Sequence, residues 1–170
     1  MYSLDLAISF FSRSVACCFL KCYNYLMTLT LDVTSLEKAL FQLESALVYC
    51  NSDLAKQDLQ LAMHLRAGAI QAFEFSYELS IKLLRRFLEM TSITSSDISM
   101  MSFNELIREG YDKGLLSSEL NIWKEYRRER GTTSHAYNGD KADEVFDHIP
   151  GFLNDARFLL AQFHSRTPIV

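Results

Sequence analysis

With 170 residues, 49% of them hydrophobic and 22% charged, the chain has material for one globular domain with a substantial core. Only two prolines and six glycines occur and Leu, Ala, Glu and Arg are frequent, a balance that favours helices over a turn-rich β fold. A formal net charge of −4 argues against sequence-blind nucleic-acid binding through one large basic surface, but leaves room for a small local basic site.

The first 26 residues stand apart. Leu4, Ile8, Phe11, Val15, Cys18, Cys22 and Tyr25 recur at helical spacing, so an amphipathic helix is expected. Arg13 and Lys21 leave only seven residues between them, against about 20 for a membrane span. Asp5 occupies the place where a secretory signal carries positive charge, and no Ala-x-Ala site follows. Met27 directly precedes Thr28-Leu-Thr-Leu-Asp32, where regular patterning begins. The expected organisation is therefore an extension over 1–26, outside the native protein, and a single helical domain over 27–170. Of the four cysteines, Cys17, Cys18 and Cys22 fall in the extension and Cys50 stands alone, with no Cys-x-x-Cys pair. Neither a zinc site nor a disulfide framework is expected, and the reading is a cytoplasmic protein without membrane attachment.

Thr34-Ser-Leu-Glu37 reads as a capping box ahead of a stripe formed by Leu36, Leu40, Leu43 and Leu47. Asn51-Ser-Asp53 interrupts it, and Asp53 is expected to cap a long second helix from about Leu54 to Met90. One face of that helix carries Leu59, Met63, Ile70, Phe73, Tyr77, Ile81, Leu84 and Leu88. A second apolar line, Leu61, Leu65, Ala72, Leu79, Leu83 and Phe87, lies beside it. So broad a surface implies packing on more than one side, part of it against another subunit. Gly68 inside the helix costs about 1 kcal/mol relative to Ala and suggests a close helix approach.

Thr91–Ser99 reads as a loop. Ser102-Phe-Asn-Glu105 is a second capping box, opening a short helix that stops near Gly110 or Gly114. Ser117 or Ser118 then caps a fourth helix with Leu120, Trp123 and Tyr126, weakening at Gly131-Thr-Thr. Asn138-Gly-Asp140 interrupts again, and Asp140, Asp143 and Glu144 suit a helix start. Ala142, Val145, Ile149, Phe152, Ala156, Leu159 and Phe163 form the last amphipathic face, with a kink expected at Pro150. No useful strand alternation and no internal repeat is found, so the fold class is all-α, a helical bundle of about five helices.

One segment looks like chemistry. From Lys124 to His135, five of twelve positions are Lys, Arg or His, against two Glu. Arg130 and His135 are five residues apart, which on one straight helix sets them about 140° apart. They converge only if the helix ends near Gly131 and the chain folds back, or if two subunits contribute. A neutral imidazole can take a proton from a hydroxyl, and a guanidinium can hold two phosphate oxygens. Those parts suffice for metal-independent RNA cleavage, and equally for binding a nucleotide phosphate without reaction. Tyr137 adds a hydroxyl for modification or an aromatic face for a base. Spacing alone also accommodates a plain solvated helix face ending in a capping histidine. Elsewhere His64, His148 and His164 read as surface or packing residues. Glu74, Glu78 and Lys82 read as solvated i,i+4 neighbours, with Glu74 the one acid that could orient Arg130. No metal site is expected.

Trp123, followed seven residues later by Arg130 and then by Thr133-Ser134-His135-Ala-Tyr137, resembles the Arg-x4–6-His signature of the HEPN superfamily. More closely, the chain is similar to the nucleotidyltransferase substrate-binding protein family. Arg66 to Lys82 resembles that family's long second helix and Asn104 to Leu115 its third, so the likeness runs from about Leu31 to Phe163. It implies an antiparallel, HEPN-like helical bundle that forms a homodimer, with two Arg-x4-His segments near the dimer cleft. It also implies a partner, a minimal nucleotidyltransferase encoded nearby, in a toxin–antitoxin-like module. In related pairs the helical member is an RNase toxin, and the partner, using ATP, silences it by adenylylating the tyrosine two residues after the histidine, here Tyr137. An older view makes the helical protein the substrate-binding half of a split nucleotidyltransferase, a role in which Arg127, Ser134 and Tyr137 would contact substrate. The chain has no transferase metal site of its own and no cofactor is expected; RNA or nucleotide is the expected ligand. Gly131 departs from the pattern, which places Asn or another polar residue directly after the motif Arg. A side chain that could hydrogen-bond near the scissile phosphate is thus missing. The readings carried forward are a substrate-binding, HEPN-type subunit of a nucleotidyltransferase, an endoribonuclease using Arg130 and His135, and a structural dimer with a vestigial motif.

Overall fold

The computed structural model describes residues 30–92, 95–132 and 139–166. The expected extension over 1–26 and the Met27 start lie outside the described residues. The unit formed by Leu31–Arg166 is an all-α helical bundle. Its described helices are α1 (Thr34–Cys50), α2 (Asp53–Gln57), α3 (Leu59–Thr91), α4 (Ser95–Met100), α5 (Phe103–Asp112), α6 (Leu120–Thr132) and α7 (Gly139–Arg166).

Two short helices raise the number above the expected five, and each has a local cause. Ser52 takes the cap of α2, accepting from the Ala55 amide, and Asp53 is already helical. Asp58 is extended at φ −126° and its carboxylate accepts the amides of Gln60 and Leu61 at 2.9 and 3.1 Å, so α3 starts afresh there. Within the expected 91–99 loop, Ser95–Met100 coils into α4 around buried Ile98. The Arg85 guanidinium donates to the carbonyls of Ile98 (2.6 Å) and Met101 (2.9 Å), supplying donors that a short helix lacks at its end.

Caps show where pattern reading holds. The Ser102–Glu105 box forms reciprocally: Ser102 Oγ accepts the Glu105 amide, and the Ser102 amide donates to Glu105 Oε2 at 2.8 Å. The Thr34–Glu37 box does not, because α1 begins one residue earlier and Thr34 is already helical. Its amide donates instead to Asp32 Oδ1 at 2.9 Å, and hydrogen bonding from the Thr34 hydroxyl, then from this amide, holds the Asp32 carboxyl below its usual range. The chain leaves α5 through Gly114 at φ +67°, a left-handed conformation suited to glycine, and the Leu115 amide returns to the Gly110 carbonyl at 2.8 Å.

At the centre, α3 packs against α1, α4, α6 and α7. Its buried face is Ile70, Phe73, Tyr77, Leu84, Phe87 and Leu88, as the periodicity predicts, but Leu59 and Met63 are exposed. The first turns of α3 thus carry exposed apolar residues, and among the described residues nothing approaches Gly68 within 4 Å of a Cβ placed there. The tight approach is at Gly110, where a Cβ would come within 3.1 Å of Leu84 and 3.2 Å of Leu116. Phe152 of α7 centres an aromatic cluster, edge-on to Phe73 at 5.0 Å, Tyr126 at 5.4 Å and Trp123 at 6.3 Å. α7 continues as one helix through Pro150, whose side of the helix is exposed.

Candidate functional site

α6 carries the first half of the motif, and its burial repeats every third residue: Trp123, Tyr126 and Glu129 point inward. The expected hydroxyl cap at Ser117 or Ser118 is absent, because both hydroxyls turn to Asp155 of α7. Ser118 Oγ donates to Asp155 Oδ1 at 2.8 Å, Ser117 Oγ donates to the same oxygen, and Tyr126 Oη donates to Oδ2 at 2.8 Å. Burial, with the Asp155 contact second, pushes the Tyr126 phenol up. Gly151 lies beside this network: a Cβ there would stand 3.4 Å from Tyr126 Oη, in van der Waals contact. α6 does not stop at Gly131 but runs on to Thr132.

Arg130 stands in the last turn of α6, its side chain 45% exposed, and forms an ion pair with Glu78 of α3. That contact, followed by the Glu74 charge and the Tyr77 phenol, holds the guanidinium proton more tightly. Glu78 is therefore not the plain solvated neighbour that its spacing suggests. Glu74, half-buried one turn earlier, has its carboxyl raised by burial, opposed by the charge of Arg130. It lies in the field of Arg130, while Glu78 makes a salt bridge to it. Tyr77 between them is pushed up to about 12 by burial, with Arg127 and Arg130 pulling the other way. Arg127 lies over the Phe103 ring of α5, 4.5 Å from its centroid. Three helices thus bring together Arg127 and Arg130, Glu74, Tyr77 and Glu78, and Phe103. Ser134, His135 and Tyr137 lie outside the described residues.

The histidines expected to be isolated include two with acidic neighbours: His148 Nδ1 is 2.7 Å from Glu129 Oε1, and His164 Nε2 is 2.9 Å from Glu37 Oε1. Glu129 is the functional-region residue that sequence reasoning missed, since it sits within a charge run that reads as solvated. The signal was present: it follows Tyr126 by three and Trp123 by six, on the buried stripe. Among the described residues no three His, Cys, Asp or Glu side chains gather as a metal site, and no helix is long and apolar enough to cross a membrane.

An exposed ion pair such as Arg130–Glu78 is worth at most about 1 kcal/mol. A phosphodiester offering two oxygens to the guanidinium can therefore compete with Glu78 for it.

A helical bundle carrying this arginine at the end of an interior-facing helix defines a class, and comparison supplies its name. The profile of nucleotidyltransferase substrate binding protein-like sequences matches residues 31–165, and the chain belongs to that family. It is 38% identical over 144 residues to a Haemophilus influenzae protein named probable ribonuclease HepT, covering 83% of this chain and 97% of the relative. A solved Haemophilus influenzae structure, described as the fold of a substrate binding domain of a nucleotidyltransferase, is 36% identical with a TM-score of 0.73, covering 78% of this chain and 99% of that one. A crystal structure from Thermus thermophilus, 24% identical with a TM-score of 0.58, covers 75% of this chain and 98% of that one and shows the fold alone.

Proposed function

We propose that the chain is a HEPN-type, substrate-binding subunit that works with a minimal nucleotidyltransferase in a toxin–antitoxin-like module. The observation that carries this reading is the family match over 31–165, which contains the whole Arg130–Tyr137 motif. In it Arg130 binds a phosphate, exchanging Glu78 for the ligand, and Arg127 and Ser134 add contacts. The partner uses ATP, and Tyr137 receives AMP. A homodimer is part of this reading. It is supported by the exposed apolar residues Val48, Tyr49, Leu54, Leu59 and Met63 between the end of α1 and the start of α3.

A second reading is favoured by the 38% identical relative named as a ribonuclease. In it His135 takes the proton of a ribose 2′-hydroxyl, which attacks the neighbouring phosphorus and expels the 5′-oxygen, while Arg130 stabilises the charge on the phosphate. Gly131 withholds the polar side chain usual beside the arginine. Among the described residues nothing lies within 4 Å of a Cβ placed at Gly131.

Both readings are tested by expressing the chain from Met27 and comparing growth and RNA integrity with Arg130→Ala and His135→Ala. Toxicity and RNA loss confined to the unmutated chain support cleavage, and intact RNA in all three removes it. Incubation with the partner and ATP should add one AMP mass to Tyr137. A modified chain with Tyr137 unlabelled would overturn the silencing role.

A further inference from the structure

The last turn of α6 holds a side chain that these readings do not use. Glu129 is 3% exposed, on the same stripe as Trp123 and Tyr126, and both its oxygens are shut off from solvent without a hydrogen bond among the described residues. Its nearest polar neighbours are His148 of α7, whose Nδ1 lies 2.7 Å from Oε1, and Arg128 of its own helix at 3.9 Å. Glu125 on α6 and Glu144 on α7 add negative charge around it. Burial raises the Glu129 carboxyl above its ordinary range, and the His148 and Arg128 charges only partly offset this. An apolar side chain on this stripe would serve the core better, so stability does not account for a carboxylate here.

Position does. Residues 129 and 148 flank the motif in sequence, and their contact ties the last turn of α6 to the first half of α7. The next polar tie between these helices, Tyr126 Oη to Asp155 Oδ2, lies a turn back on α6 and nearly two turns on along α7, past the Phe152 ring that packs on Tyr126. Arg130 follows Glu129 directly but reaches the other way, to Glu78 of α3. The backbone that carries Arg130 is therefore anchored to α7 by Glu129, while its side chain is aimed from α3.

We propose that Glu129 and His148 form a positioning pair that locks the last turn of α6 onto α7 and thereby sets where Arg130 is presented. The proposal rests on the reading of Arg130 as the phosphate-binding group of this site. Neither residue touches substrate; both act through Arg130.

Hydrogen exchange followed by mass spectrometry tests this on the whole chain without any substrate. Glu129→Gln and His148→Gln should each speed amide exchange about tenfold in the last turn of α6 and over 139–149, leaving α1 and α5 unchanged. The double variant should go no further than either single one. Unchanged exchange at those places, or acceleration spread evenly over all helices, overturns the proposal. Nuclease or AMP-acceptor activity should also fall about tenfold in both variants, with Tm within about 2 °C of wild type. An active wild type whose activity is unchanged in both variants equally overturns it. A wild-type chain that neither cleaves RNA nor accepts AMP would refute the functional reading, while the exchange pattern would still decide the helix tie.

Discussion

At the start of α6, Trp123 and Tyr126 are enclosed and the hydroxyls of Ser117, Ser118 and Tyr126 converge on Asp155. At its end, Arg127 and Arg130 stand exposed against Phe103 and Glu78. The first end is a closed hydrogen-bond network whose removal strands buried groups. The second is a set of exchangeable contacts around a charge that a ligand can take over. Glu129 sits at the boundary, buried like the first end and charged like the second. One helix thus joins a rigid base to a displaceable cation, the arrangement that positions a binding group without using it up in the fold.

The sharpest break of the first end is Asp155→Ala, which deprives three hydroxyls of their acceptor. It should cost about 3 kcal/mol, lowering Tm by roughly 10 °C in a thermal melt. Arg130→Ala should do the reverse, moving Tm by no more than about 3 °C, since its ion pair is exposed. Phosphate-dependent activity in that variant should fall about 100-fold or more, measured as RNA cleavage or oligonucleotide affinity. A large loss of Tm in that variant would erase the contrast between the two ends. A smaller effect comes through α5, which sets Phe103 beneath Arg127. Ser102→Ala removes its cap and should cost about 1 kcal/mol in denaturant unfolding, with activity reduced only slightly.

The smallest effect concerns the boundary residue and has a definite sign. Because the folded Glu129 carboxyl lies above its ordinary value, the folded state binds the proton more readily than the unfolded one. Wild-type stability from this group is therefore greatest at low pH and is lost as pH rises from the ordinary carboxylate range through the raised folded value. Glu129→Gln lacks that loss, so its Tm relative to wild type should climb with pH across this window, by on the order of 2 °C, and then level off. Asp32 and Glu105, lowered by their capping bonds, give the opposite slope in both proteins and cancel in the difference. A flat difference would move Glu129 to the solvated class.

Much of the bundle was legible because helical periodicity and caps are local. The stripes Leu36–Leu40–Leu43, Ile70–Phe73–Tyr77 and Val145–Ile149–Phe152, the Ser102 box and the Gly114 exit follow from side-chain spacing and backbone preference. Some misses are places where a neighbour in space overrode a neighbour in sequence. Ser117 and Ser118 have the chemistry of caps, yet a buried carboxylate 37 and 38 residues away claims both hydroxyls. One miss is local: Asp58 divides the expected long helix because its carboxylate caps the amides two and three residues on.

For the site, residue identity and spacing singled out the segment Arg130 through Tyr137, and resemblance pointed to the family that the comparison shows. The chain carries that information without folding. Packing alone established that Glu78 makes the salt bridge to Arg130, that Arg127 stacks on Phe103, and that Glu129 turns inward toward His148. Helical spacing says which residues share a face. Which partner that face meets depends on how helices far apart in sequence pack, and burial then decides whether a charge is solvated or held.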